Sequence, residues 1–141
     1  MFEIDVEIKY DGPVTTAFED DRAIRRVLAE YCHSCDDGDF DALLECFTTD
    51  AEFVFAERVV AGRDALRAWF EKTQRADRRG KHLTTNTVVD VDGDTATARS
   101  DFVFLVRSDA GLVPLLTGRY RDALVRDGSR WRLGRREAAT L

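Results

Sequence analysis

An α+β fold with a mostly antiparallel sheet is predicted by three observations. Apolar residues recur at helical spacing in the first half of the chain, alternating strand patterns fill it from His82 onward, and two Asp-Gly pairs divide that second half into hairpins. Helices followed by strands, without regular alternation of the two, is the order of an α+β domain. With 141 residues, 44% hydrophobic and 34% charged, the chain reads as one globular domain able to enclose a core and one internal pocket.

Each element has its own signal. Phe2, Ile4, Val6 and Ile8 alternate with Glu3, Asp5, Glu7 and Lys9 up to Asp11-Gly12-Pro13, so residues 1–19 read as an N-terminal arm or extra strand and 20–141 as the domain proper. Asp20 and Asp21 precede a helix whose stripe is Ile24, Val27, Leu28, Tyr31 and Cys35, with Arg25, Arg26 and Glu30 opposite. Asp37-Gly38-Asp39 ends it, and Phe40, Leu43, Leu44 and Phe47 form a second, short stripe. Short strands over 52–56 and 58–61 lead to Gly62 and a helix burying Leu66, Trp69 and Phe70, and 75–81 is a basic loop. Strands then follow over 82–91, 94–107, 113–125 and 130–138.

Taking Asp92-Gly93 as the two central turn residues sets Asn86 opposite Arg99, Thr84 opposite Asp101 and His82 opposite Val103. His82 and Asp101 are then diagonal neighbours on one face, roughly 7 to 8 Å apart at the backbone. The same count at Asp127-Gly128 pairs Leu124 with Trp131, Asp122 with Leu133 and Tyr120 with Arg135, turning Tyr120 and Arg135 inward and Arg119, Arg121, Arg130 and Arg132 outward.

Composition narrows the function. Asp and Glu outnumber Lys and Arg by 27 to 21, a net charge of -6, so the field of the molecule repels phosphate backbones and nucleic acid is a poor partner. The apolar runs are too short to span a bilayer, and the acidic 1–10 segment is unlike a secretory leader, so the expected compartment is the cytoplasm. Cys32, Cys35 and Cys46 form an odd, small set that suits buried inert thiols; a zinc reading of Cys32-His33-Ser34-Cys35 lacks two well-spaced further ligands, and His33 is expected in solvent.

A wider pattern then stands out: Tyr31-x4-Asp36, Gly38-Asp39-x-Asp41-Ala42-Leu43, Phe47-x2-Asp50-Ala51, Gly62-Arg63 before a helix, His82-x3-Asn86, Gly93-Asp94-x-Ala96, Gly118-Arg119-Tyr120-x-Asp122 and Trp131-Arg132-Leu133. Over about 20–136 this resembles the SnoaL-like group of the nuclear transport factor 2-like superfamily, which includes polyketide cyclases, scytalone dehydratase and bile acid dehydratase. The resemblance implies a cone-shaped barrel, in which a strongly curved, mostly antiparallel sheet wraps the N-terminal helices and leaves a closed-end pocket. It implies catalysis without metal or organic cofactor, with Tyr31, Asp36 and His82 on the positions of the helix Tyr and Asp and the strand His. For a further polar strand residue the register favours Asp101 over Ser100.

Loss of hydroxide beside a carbonyl needs a base, an acid and a donor to the developing enolate. His82 is the expected base or shuttle, Asp101 its orienting partner, Tyr31 the oxyanion donor, and Asp36 a ligand of the Tyr31 hydroxyl, of a water or of a substrate hydroxyl. Asp36 lies near a helix C-terminus, where a carboxylate opposes the macrodipole, so a pocket position requires a specific partner. Asn86 is a candidate for substrate binding or for bonding to neighbouring backbone; Tyr120 and Arg135 are candidates for a polar or anionic substrate end, or for a buried ion pair with Asp122 or Asp101. The expected function is that of a lyase or isomerase, dehydratase- or cyclase-like, on a small hydroxylated cyclic ketone or polyketide-like molecule. The alternatives are a binding or assembly module and the small structural subunit of a ring-hydroxylating dioxygenase. A homodimer or homotrimer built through the outer sheet face, with the N-terminal segment exchanged, is also expected.

Overall fold

The computed structural model describes residues 15–141, so residues 1–14 of the segment read as an arm or extra strand lie outside the described residues, while 17–19 belong to the first helix. Helix α1 (Ala17–Asp37) starts earlier than the apolar stripe implies, because Thr16 and Glu19 form a capping box that satisfies two backbone donors. Asp20 therefore sits in the first turn and is buried, accepting hydrogen bonds from Thr15, Arg126 and the Trp131 indole at 2.7, 2.9 and 3.1 Å. Burial pushes its carboxyl pKa up, but these donors more than offset that and hold it below the usual value. At the other end Gly38 takes the left-handed conformation (φ 66°) and closes the helix by donating to Cys35.

Helix α2 (Phe40–Glu45), capped by Asp39, leads to β1 (Phe47–Phe55), β2 (Arg58–Ala61), α3 (Arg63–Thr73), β3 (Lys81–Asp92), β4 (Thr95–Ser108), β5 (Gly111–Asp127) and β6 (Arg130–Thr140). The six strands lie in the order β2-β1-β6-β5-β4-β3, antiparallel throughout except for the β1–β6 pair. Helix α1 packs against both β6 and β3, although β5 and β4 lie between them in the sheet, so the sheet curls strongly around the helix. Ile24, Leu28, Tyr31 and Cys35 fill the concave side with Leu43, Phe47, Leu66, Phe70, Leu124 and Leu133, all buried. This is the expected α+β cone, with a mixed sheet.

The expected registers need two corrections. Each Asp-Gly pair is offset in its turn: Asp92 pairs with Thr95 and Asp127 with Arg130, so Gly93 (φ 60°) and Gly128 (φ 63°) take the first central position. That offset moves partners by two residues and leaves the faces unchanged. The second correction inverts them. In β3 the register shifts between Thr85 and Val88, around Asn86 at φ 56°, so His82 pairs with Phe104 and Thr84 with Phe102, while Thr85 pairs with Asp101. In β6 the shift falls at Gly134, so Arg135 pairs with Ala123, and Arg136 with Asp122. Beyond each bulge the inner and outer faces exchange: His82 and Arg136 turn inward, and Arg135 turns outward.

Candidate active site

Asp36 and His82 form the polar centre of the concave side. The Asp36 carboxylate accepts the His82 backbone N–H (3.0 Å to Oδ1 and 3.3 Å to Oδ2) and lies 2.7 Å from Nδ1. Their side chains are only 6% and 7% exposed. This meets the requirement that a carboxylate at the end of α1 have a specific partner. Since an ionised carboxylate can only accept, Nδ1 carries the proton, and in the neutral ring the lone pair is left on Nε2. Phe104 packs 4.5 Å from the imidazole, centroid to centroid, and fixes its tilt.

Tyr31, one and a half turns before Asp36 on α1, is buried with its ring 6.4 Å from that of His82 and 5.9 Å from that of Tyr120. Tyr120 stacks on Phe102 at 4.2 Å. Burial pushes the pKa of both phenols well above the ordinary tyrosine value, outweighing the opposing influence of Arg136, so both hydroxyls stay protonated and can donate. Arg136 lies behind them, fully buried, 4.3 Å from the Tyr31 ring and 3.8 Å from the Tyr120 ring. Its Nε and Nη2 bind Asp122 at 2.7 and 2.8 Å, while Nη1 has no partner among the described residues.

His82, Tyr31 and Tyr120 line a cavity of about 220 Å³ whose wall is otherwise mostly aromatic, including Phe53, Trp69, Phe70 and Phe102. Gln74 adds a buried amide oxygen without a partner among the described residues. The cavity is smaller than the roughly 300–1,000 Å³ typical of ligand pockets, but it shares Phe55, Thr73, Phe104 and Leu115 with a more open outer cavity of about 670 Å³.

Four of the seven candidate residues thus converge: Tyr31, Asp36, His82 and Tyr120. The other three lie on the outer face. Asp101 is bonded there to Arg119 at 2.7 Å and to Asn86 at 3.0 Å, and these hydrogen bonds hold its pKa below the ordinary value. It cannot orient His82; Asp36 does. Asn86 is the bulge residue itself, a residue type that tolerates the left-handed conformation. Arg135 is paired with Glu52 and Glu137 in solvent, and the buried ion pair is made by its neighbour Arg136. Arg136 and Gln74 are the residues missed from the sequence. A glycine inside a strand pattern, as at Gly134, was the available sign of a bulge.

His33 is exposed. The three cysteines are buried and free, and burial raises their thiol pKa values, that of Cys46 to about 11. Below such a pKa the unreactive thiol form dominates. At pH 8 a disulfide reagent should therefore label none of the three in the folded protein and all three after denaturation; rapid labelling of the folded protein would refute this.

The sequence profile of the SnoaL-like domain matches residues 16–137. Comparison with curated proteins gives no match. Among solved structures, Rv3472 from Mycobacterium tuberculosis, described as of unknown function, is 35% identical over 88% of this chain and 77% of its own, with a TM-score of 0.84. An NTF2-like protein with a cystatin-like fold from Novosphingobium aromaticivorans is 32% identical over 88% and 83% of the two chains, with a TM-score of 0.82. A candidate scytalone dehydratase from the same organism is 27% identical over 88% and 85%, with a TM-score of 0.78.

Proposed function

The chain belongs to the SnoaL-like family, and from that premise we propose that it is a small-molecule lyase or isomerase, dehydratase- or cyclase-like, acting on a hydroxylated cyclic ketone or polyketide-like substrate through its own side chains. The observation that carries the proposal is the buried Asp36–His82 pair opening onto an aromatic cavity beside Tyr31. In the proposed reaction Nε2 of His82 removes a proton beside the substrate carbonyl, and Asp36 stabilises the imidazolium that forms. The Tyr31 hydroxyl donates to the developing enolate oxygen. As the enolate collapses, the C–O bond to the leaving hydroxyl breaks; the imidazolium returns its proton to that oxygen, and water departs. The proton taken from carbon thus leaves in the water, and His82 is regenerated. The likeness to a candidate scytalone dehydratase is in keeping with this class of chemistry.

The test is a screen of hydroxylated cyclic ketones, followed by the ultraviolet absorbance of the conjugated product and by the mass loss of water. Turnover by the wild type that falls about 10²-fold or more in His82→Ala is the expected result; turnover that survives His82→Ala within a fewfold would refute the role of His82. Ligand binding without turnover would favour a binding module, the use to which a mostly aromatic wall is equally suited.

A further inference from the structure

We propose that the substrate carries an anionic group at the end remote from its reacting ring, and that Arg78, Arg79 and Arg107 at the pocket mouth receive it. This rests on the proposed function, because it assigns a second end to the molecule whose ring occupies the inner cavity.

The inner and outer cavities share four wall residues, so a ligand seated beside His82 extends naturally into the outer one. The two compartments differ in chemistry. The inner wall is aromatic and offers protonated phenols, an imidazole and an amide, with the Arg136 charge sealed behind the tyrosines and already committed to Asp122. Three arginines line the outer cavity, and Asp77 is its one carboxylate. Asp77 is in turn taken up by Arg75, which holds both its oxygens at 3.1 and 2.9 Å. Among the described residues, no carboxylate pairs with Arg78, Arg79 or Arg107, whereas arginines on the outer sheet face, in the core and at the ends of α1 and α2 are paired repeatedly. In a chain of net charge -6, a mouth whose three arginines pair with no carboxylate among the described residues stands out, and clefts lined by one sign of charge concentrate ligands of the other.

One of the three is fixed in place. Nε of Arg79 donates to the Gln74 carbonyl at 2.9 Å, and its guanidinium lies 5.9 Å from the Phe40 ring centroid. It also covers Gly38 so closely that an added Cβ would come within 2.2 Å of Cζ. Arg79 is thus held at the mouth by residues that close α1 and α3, and Arg78 and Arg107 are exposed beside it. A planar guanidinium offers paired donors that suit a carboxylate or a phosphate.

The experiment uses the full chain and a matched pair of probes, phenylhexanoate and phenylhexanol, titrated by calorimetry. The carboxylate is expected to bind about three- to tenfold more tightly than the alcohol. That preference should fade between roughly 0.01 M and 1 M salt, where the screening length falls from about 30 Å to about 3 Å, and should fall markedly in the double variant R78Q/R107Q, which keeps only Arg79. Both substituted residues are exposed, so an unchanged thermal midpoint will show that the variant folds. Equal affinities in the wild type, or a preference undiminished in R78Q/R107Q, would overturn this inference and leave the proposed function standing; failure of both probes to bind would count against both. Phenylhexyl phosphate, titrated alongside, separates a mouth that accepts either oxyanion from one that selects carboxylate.

Discussion

Replacing Asp36 with Asn is expected to lower turnover in the proposed reaction by about 10²- to 10⁴-fold while leaving substrate binding close to that of the wild type. The amide oxygen can still accept from the backbone N–H and from Nδ1 of His82, which Oδ1 of Asp36 now contacts at 3.0 and 2.7 Å. What it cannot do is place a negative charge against the imidazolium once Nε2 has taken the proton. The loss should therefore fall on kcat, in which the charged intermediate appears, with KM nearly constant. Because the two residues act as a unit, Asp36→Asn combined with His82→Ala should be no slower than His82→Ala alone. Nitrogen NMR of the wild-type His82 ring supplies a check that needs no substrate: the neutral form should be protonated at Nδ1. A fully active Asp36→Asn, or an Nε2-protonated tautomer, would separate Asp36 from the chemistry.

The partner of His82 marks the limit of what could be read from the sequence. Helical periodicity placed Tyr31 and Asp36 on α1, and the macrodipole argument required Asp36 to have a specific partner if it faced a pocket. The family pattern placed His82 beside them. Strand counting then assigned His82 to Asp101, because alternation was carried unbroken from the Asp92-Gly93 turn to His82. Near the turn the counted faces hold: Val89 and Ala98 point inward together. Past the bulge at Asn86 the faces of β3 are reversed relative to β4, so His82 turns inward while Asp101 stays on the outer face with Arg99. The β5–β6 hairpin repeats the lesson, holding from Trp131 to Leu133 and exchanging Arg135 for Arg136 after Gly134. A bulge depends on how far the sheet must bend around α1, a tertiary demand that local alternation does not encode. Asn86 and Gly134 are residue types suited to bulges, but that suitability does not say that the bulge is used.

Substituting Asp122 with Leu is expected to destabilise the protein by about 3–5 kcal/mol, since it leaves the Arg136 guanidinium buried without a counter-charge. Both side chains are 0% exposed. Two of the guanidinium nitrogens bind the carboxylate, the third has no partner among the described residues, and the faces of Tyr31 and Tyr120 close the remaining approaches. Water thus has little room to replace the lost carboxylate, and against a total stability of about 5–15 kcal/mol the loss should lower the thermal midpoint by about 10 °C or more. Removing both charges is a different experiment. Asp122→Leu with Arg136→Met removes both members of this ion pair and should recover most of the stability, since a buried pair replaced by apolar groups of similar volume is often neutral. The double variant nevertheless loses the guanidinium that lies against both tyrosine rings, at about 2 kcal/mol or more for a desolvated cation–π contact. Activity should accordingly recover less than stability, because Tyr31 would then keep its ring neighbours Phe47, Phe70, His82 and Tyr120 but lose the cation that lies against its face. A single variant as stable as the wild type would show that the barrel admits water at Arg136. Full recovery of both stability and activity in the double variant would show that the pair serves neither the core nor the tyrosines that line the cavity.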